Sequence, residues 1–186
     1  RGEFSRLVGL EVRRLNGVLE MLLDYGQLGT PRPKAVDLQR RVLASLGERK
    51  REIAEKKISI RTDGLEKLPA IQFDEDQVKF VLQRVWESVL GKEIENREAA
   101  VKGRFQQRAA GEGGDWVELE IWYDGREGVI KDIHRVEGPG GRYDFEGLSL
   151  GLGLARRLMM RNQGEMQVFQ EEGVGVTIIL RFRKAN

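Results

Sequence analysis

Between Leu148 and Val168 the chain reads LSLGLGLARRLMMRNQGEMQV. Gly151 and Gly153 alternate with Leu150, Leu152 and Leu154 and lead directly into a helical pattern. Glycine lets a backbone approach a ligand closely and take up angles that other residues avoid. A helix starting there presents unpaired N–H groups and a positive dipole end, which suits phosphate. Gln163-Gly164 is a helix stop signal, and the stretch from Glu165 to Gln170 reads as a strand. Glycine pair, helix, glycine, strand is the layout of a phosphate cradle. The same spacing also suits a tight loop ahead of an amphipathic helix, with Leu152, Leu154, Leu158 and Met159 as core, and so short a motif does not separate the two.

Other chemistries find little support. The chain has one histidine, His134, and no cysteine, so neither a Ser-His-Asp nor a Cys-His arrangement is expected from it. His134 sits in a long glycine-rich stretch, where an imidazole is ordinarily just solvated. Absence of cysteine also removes disulfides and thiolate metal sites and fits a reducing, cytoplasmic setting. Thirty-two basic side chains against 30 acidic ones leave a net charge of +2, too small to draw the chain to nucleic acid or a membrane surface. No apolar run reaches the roughly eighteen residues of a membrane span, and no signal-peptide pattern opens the sequence. With 186 residues and 40% apolar side chains there is material for one medium domain plus an extension.

The elements that must carry any such site fall into two parts. Val8, Val12, Leu15, Leu19 and Leu22 are spaced 4, 3, 4, 3, the seam of a helix that packs along another helix. Gly26 and Gly29 end that pattern, and Pro31 and Pro33 prevent its continuation. This predicts a helical segment over 1–29, a hinge at 30–34, and a globular domain over 30–186. The pattern opens in mid-helix, as expected of a fragment of something longer. Beyond the hinge the patterns predict a short extended entry at 34–37, one helix over 38–55, and strands at 57–62 and 70–73 flanking an Asp63-Gly64 turn. A helix over 74–94 follows, then strands at 99–109 and 116–123, a long irregular stretch over 124–149, a helix over 151–163, and strands at 165–170 and 174–183. In the strand at 116–123, Val117, Leu119, Ile121 and Tyr123 share one face while Glu118 and Glu120 face out. The sum is an α+β fold, helices on one face of a mixed, mostly antiparallel sheet.

A helix ending LLDY, a proline hinge, AVDL…VL, an ISI strand, PAIQFDEDQVKFVL, a DG turn and GLGLA follow one another in an order that resembles the C-terminal half of a bacterial sensor histidine kinase. The chain looks like a second dimerisation helix followed by an ATP-binding domain of the Bergerat, or GHKL, type. The resemblance implies a two-layer α/β sandwich of the histidine-kinase/Hsp90 ATPase type and a two-component signalling role. It also implies a homodimer through the N-terminal helix, a response regulator or other signalling protein as partner, and ATP with Mg²⁺ as ligands.

Carried over residue by residue, that resemblance is incomplete. Aligned on Asp74 and Val81-Leu82, the family's two asparagines fall on Arg84 and Ser88. The second asparagine orients the metal, and serine is shorter; Ser88 is the candidate metal position, with Glu87 beside it as a candidate carboxylate. Adjacent helical residues do not face the same way, so a plain solvated helix face also accounts for Arg84, Glu87 and Ser88. For the adenine box, strand phase places Tyr123 at the family's purine-recognising aspartate and keeps Gly125. Direct matching uses Asp124 and Gly128 instead. Strand phase is preferred, because a one-residue slip would turn the glutamates inward; an ordinary turn leaving a strand fits as well. Gly151, Leu152, Gly153 and Leu154 match the glycine box that faces phosphates. The stretch from Gly138 to Glu146 takes the place of the ATP lid. Gly173, Gly175 and Thr177 resemble the last glycine–threonine turn or, equally, a hairpin.

The resemblance also implies a phosphoacceptor histidine on a preceding helix, which these residues do not supply. Three expectations follow: a degenerate kinase-derived module without its phosphoacceptor, an active catalytic fragment that uses unusual residues, or an interaction module that binds no nucleotide. The first is preferred, because substitutions fall in both the metal box and the adenine box while the order of elements survives.

Overall fold

The computed structural model describes residues 2–91, 95–107, 114–124, 149–171 and 174–186. They form two compact units, Arg1–Thr30 and Pro31–Asn186.

The first unit is a single helix, α1 (Gly2–Gln27). Leu28 N–H closes on the Tyr25 carbonyl at 3.2 Å, and Gly29 follows in the left-handed region with φ +63°, which ends the helix ahead of the prolines. Val8, Val12, Leu15, Leu19 and Leu22 are between 43% and 57% exposed, so the heptad seam lies open along its length.

The second unit begins with β1 (Lys34–Val36) and α2 (Leu38–Glu48). Asp37 caps α2, its carboxylate accepting from Arg40 N–H at 2.9 Å. The sequence predicts one helix over 38–55, but it breaks at Arg49. That residue leaves helical geometry (φ −103°, ψ 7°), its N–H turns back to Leu46 and Gly47, and α3 (Lys50–Glu55) starts afresh. Gly47, a weak helix former, sits where the first piece gives way. Lys57 is left-handed (φ 53°), so β2 (Ser59–Asp63) starts later than the alternation predicts. The turn after β2 depends on Gly64, at φ +69°; a Cβ there would overlap the Gly103 carbonyl.

β3 (Ile71–Phe73) pairs antiparallel with β1 and leads into α4 (Glu75–Leu90). Asp74 caps α4 by accepting from the N–H groups of Asp76 and Gln77, both at 3.0 Å, and also accepts from Arg32 N–H at 2.8 Å. The sequence extends this helix to 94; the structure ends it at Gly91, with φ 53°. β4 (Glu98–Gln106), β5 (Trp116–Tyr123), α5 (Leu150–Arg161), β6 (Glu165–Glu171) and β7 (Gly175–Arg183) complete the fold.

The main sheet runs β2-β4-β5-β7-β6, parallel only between β2 and β4. α4 and α5 supply the helical layer against its inner face, with Val78, Val81, Val85, Leu152 and Leu158 buried over Leu119, Ile121, Ile178 and Leu180. Asn162 pins the two helices. Its carbonyl accepts from Asp74 N–H at 3.0 Å, and its amide donates to Gln77 Oε1 at 2.7 Å and to the Leu158 carbonyl at 2.9 Å. The start of α4 is thereby fixed to the end of α5, and α5 runs back so that its first turn lies toward the Tyr123 end of the sheet. Glu118 faces the outer side of the sheet as the alternation predicts, yet it is buried. Its register partners Arg104 and Arg181 fold over it, with Arg181 Nε donating at 2.9 Å. Among the described residues no helix is long and apolar enough to cross a membrane.

Candidate functional site

β5 puts Tyr123 on the inner face with Leu119 and Ile121, and Trp122 on the other. From that position the fully buried Tyr123 reaches α4: its hydroxyl and that of Ser88 are 2.7 Å apart and share a hydrogen bond. The two positions that the sequence resemblance aligns with the metal and adenine boxes thus meet.

A third residue completes the cluster. Arg97 lies just ahead of β4 and is buried. Its guanidinium lies 4.8 Å from the centre of the Tyr123 ring, and its Nε is 3.3 Å from Asp124 Oδ1. Its Nη1 donates to the last-turn carbonyls of α4, those of Ser88 and Val89. Lys56 Nζ donates in the same way to the carbonyls of Leu90 and Gly91. A helix C-terminus carries partial negative charge and orphan carbonyls, so two cations there are favourable. Asp124 N–H donates to the Glu98 carbonyl at 3.0 Å, which ties the end of β5 to the start of β4.

The electrostatics follow the burial. Loss of water pushes the Tyr123 hydroxyl above its ordinary value of 10.0, against the opposing pull of the Ser88 hydrogen bond and the Arg97 charge. Burial likewise pulls Arg97 below its ordinary value, offset by Tyr123 and Asp124. The result is a neutral phenol under a buried cation that is paired with one carboxylate.

The remaining sequence candidates are distributed as follows. Glu87 turns away from Ser88: its carboxylate pairs with Arg84 at 3.0 Å and lies 3.7 Å from Arg49, at the helix surface. Arg84 also lies over the Phe80 ring, at 4.9 Å. Gly151, Leu152, Gly153 and Leu154 are buried in the first turn of α5. The two glycines are helical rather than part of a left-handed turn, because Ser149 caps the helix one residue before Leu150. Ser149 Oγ accepts from Leu152 N–H at 3.3 Å and its carbonyl accepts from Gly153 N–H at 2.9 Å. That leaves the N–H groups of Leu150 and Gly151 as the first-turn donors without an intrahelical partner. Thr177 pairs with Trp122 and shares its outer face, so it is not brought to Ser88 and Tyr123. Gly125, Gly128, Gly173, His134 and the lid-like stretch lie outside the described residues.

Arg97 is the residue that sequence reasoning missed. A lone arginine before a strand reads as solvated, and the only signal was its position between the end of a buried helix and the start of a strand.

These groups do not fit a Mg²⁺ ion. Ser88 has its hydroxyl committed to Tyr123, the Asp124 carboxylate is paired with Arg97, and a guanidinium lies beside the helix end. Among the described residues no three histidine, cysteine or carboxylate side chains cluster as metal ligands would.

No protein-family profile and no curated protein matches the sequence. Solved structures do match. The catalytic domain of histidine kinase ThkA, nucleotide-free, aligns at 17% identity and a TM-score of 0.62, covering 82% of this chain and 96% of that one. Histidine kinase ThkA in complex with response regulator TrrA gives 16% identity and a TM-score of 0.64, over 96% of this chain and 50% of that one. Full-length ShkA in complex with AMPPNP gives 20% and 0.62, over 92% and 36%. At these identities the likeness speaks to architecture: the chain has the fold of the histidine-kinase catalytic domain.

Proposed function

We propose that this chain is a signalling module of a two-component system, a histidine-kinase-like ATP-binding domain whose nucleotide site is degenerate. The observation that carries the reading is the Ser88–Tyr123 hydrogen bond inside this fold. It spends on each other two groups that the resemblance assigns to metal and adenine. The first turn of α5 keeps backbone donors suited to phosphate, so any residual nucleotide contact falls at Leu150 and Gly151. Mg²⁺ has no fitting ligand set at Ser88, and ATP binds weakly or not at all.

The architecture also resembles a kinase that is solved with its response regulator, which supports a regulator or another signalling protein as partner. The open seam of α1 supports a homodimer, with the helix as the partial dimerisation segment of domain 1–29 and the ATP-binding-like domain over 30–186. α1 contains no histidine, so within these residues it offers no phosphoacceptor. With its nucleotide site degenerate, the module works by shape and partner contact rather than by phosphoryl transfer. The test is a phosphotransfer assay with labelled ATP and a histidine-bearing dimerisation helix supplied in a longer chain. No labelled histidine is expected. Transfer at rates of 1 s⁻¹ or so, typical of kinases, would overturn the reading.

A further inference from the structure

The metal position is not the only thing that distinguishes this site. The inner slot at the end of β5 is filled by an aromatic ring of the protein itself. The phenol of Tyr123 is fully buried, joined edge-on to α4 through Ser88 Oγ at 2.7 Å, and covered on one face by the Arg97 guanidinium at 4.8 Å. An aromatic plane with a polar group at its rim and a cation over its face is what a bound heterocycle would offer the same surroundings. The cluster also links α4, the approach to β4 and the end of β5, a bridging role that a ligand would otherwise fill on binding.

We propose that the Tyr123 side chain is a resident surrogate for the heterocycle of a nucleotide, and that this ring, more than the missing metal ligand, keeps nucleotides out. This rests on the degenerate-site reading above and adds the residue that enforces it.

The experiment compares the full chain with Tyr123→Val, Tyr123→Phe and Ser88→Asn, titrated with adenosine, ATP and inorganic triphosphate, each with and without Mg²⁺. Adenosine isolates the slot from the phosphate contacts. Tyr123→Val, a strand-compatible residue without the ring, is expected to gain at least ten-fold in affinity for adenosine and ATP, independently of Mg²⁺ and with no gain for triphosphate. Tyr123→Phe keeps the ring and is expected to match the unmodified chain, as is Ser88→Asn. A folded Tyr123→Val that gains nothing overturns the surrogate, as does a Mg²⁺-dependent gain in Ser88→Asn alone, or a Tyr123→Phe gain equal to that of Tyr123→Val. If circular dichroism shows Tyr123→Val unfolded, Tyr123→Leu replaces it under the same criteria. Tight, Mg²⁺-dependent ATP binding by the unmodified chain is a different result: it defeats the degenerate-site reading itself.

Discussion

At the scale of single residues, the chemistry turns on which way Tyr123 points. Val117, Leu119 and Ile121 set the strand phase, and that phase alone put Tyr123 on the inner face. What it meets there was not legible. Ser88 is 35 positions earlier, and only the packing of α4 on β5 brings the hydroxyls together. Arg97 was illegible for a similar reason, since its partners are helix-end carbonyls and a ring from another strand. The geometry has a pH consequence. Tyr123 titrates above its ordinary value in the folded state, so folding favours the protonated phenol. The stability this contributes is fully present below the unfolded pKa of about 10 and is lost as pH rises from there through the folded value. Denaturation followed across that range should show stability falling more steeply in the unmodified chain than in Tyr123→Phe; equal slopes would mean the phenol is not held neutral.

At the scale of elements, the long periodic segments were readable and the joints were not. α4, α5 and β5 stand close to where periodicity put them. The helix predicted over 38–55 split because Arg49 closes a tighter turn, a local contest that apolar spacing does not record. Strand order and the parallel β2–β4 pair depend on contacts distant in sequence and carried no signal. The helix predicted over 151–163 starts one residue sooner, at Leu150 after the Ser149 cap, with Gly151 and Gly153 inside it. Two substitutions test the joints. Asn162→Ala should cost about 1–3 kcal/mol, because it removes the acceptor of the Asp74 N–H and the donor to Gln77 Oε1 at a buried site, read as a lower midpoint in urea. Gly64→Ala should cost about 1–3 kcal/mol through its left-handed backbone, with further cost from overlap with Gly103. A thermal melt unchanged from the parent would show that the turn can relax.

At the scale of the whole molecule, an N-terminal helix carries an open apolar seam and the second unit carries a kinase-type catalytic fold. A large side chain gains about 1.5–3 kcal/mol when buried, so the five seam residues hold enough potential stabilisation to drive pairing with a second copy. Light scattering should give a dimer, and Leu15→Asp should shift it to monomer; a monomer from the outset would remove the homodimer. The fold class was legible because the order of elements is itself a long pattern. The state of the site was only partly so, since the resemblance marks Ser88 and Tyr123 as departures from the family pattern but not that the two bond to each other. The degenerate nucleotide site is the central claim, and calorimetric titration of the unmodified chain with ATP, with and without Mg²⁺, tests it most directly. The account predicts little or no heat of binding and no dependence on Mg²⁺. Tight binding that requires Mg²⁺ would contradict it.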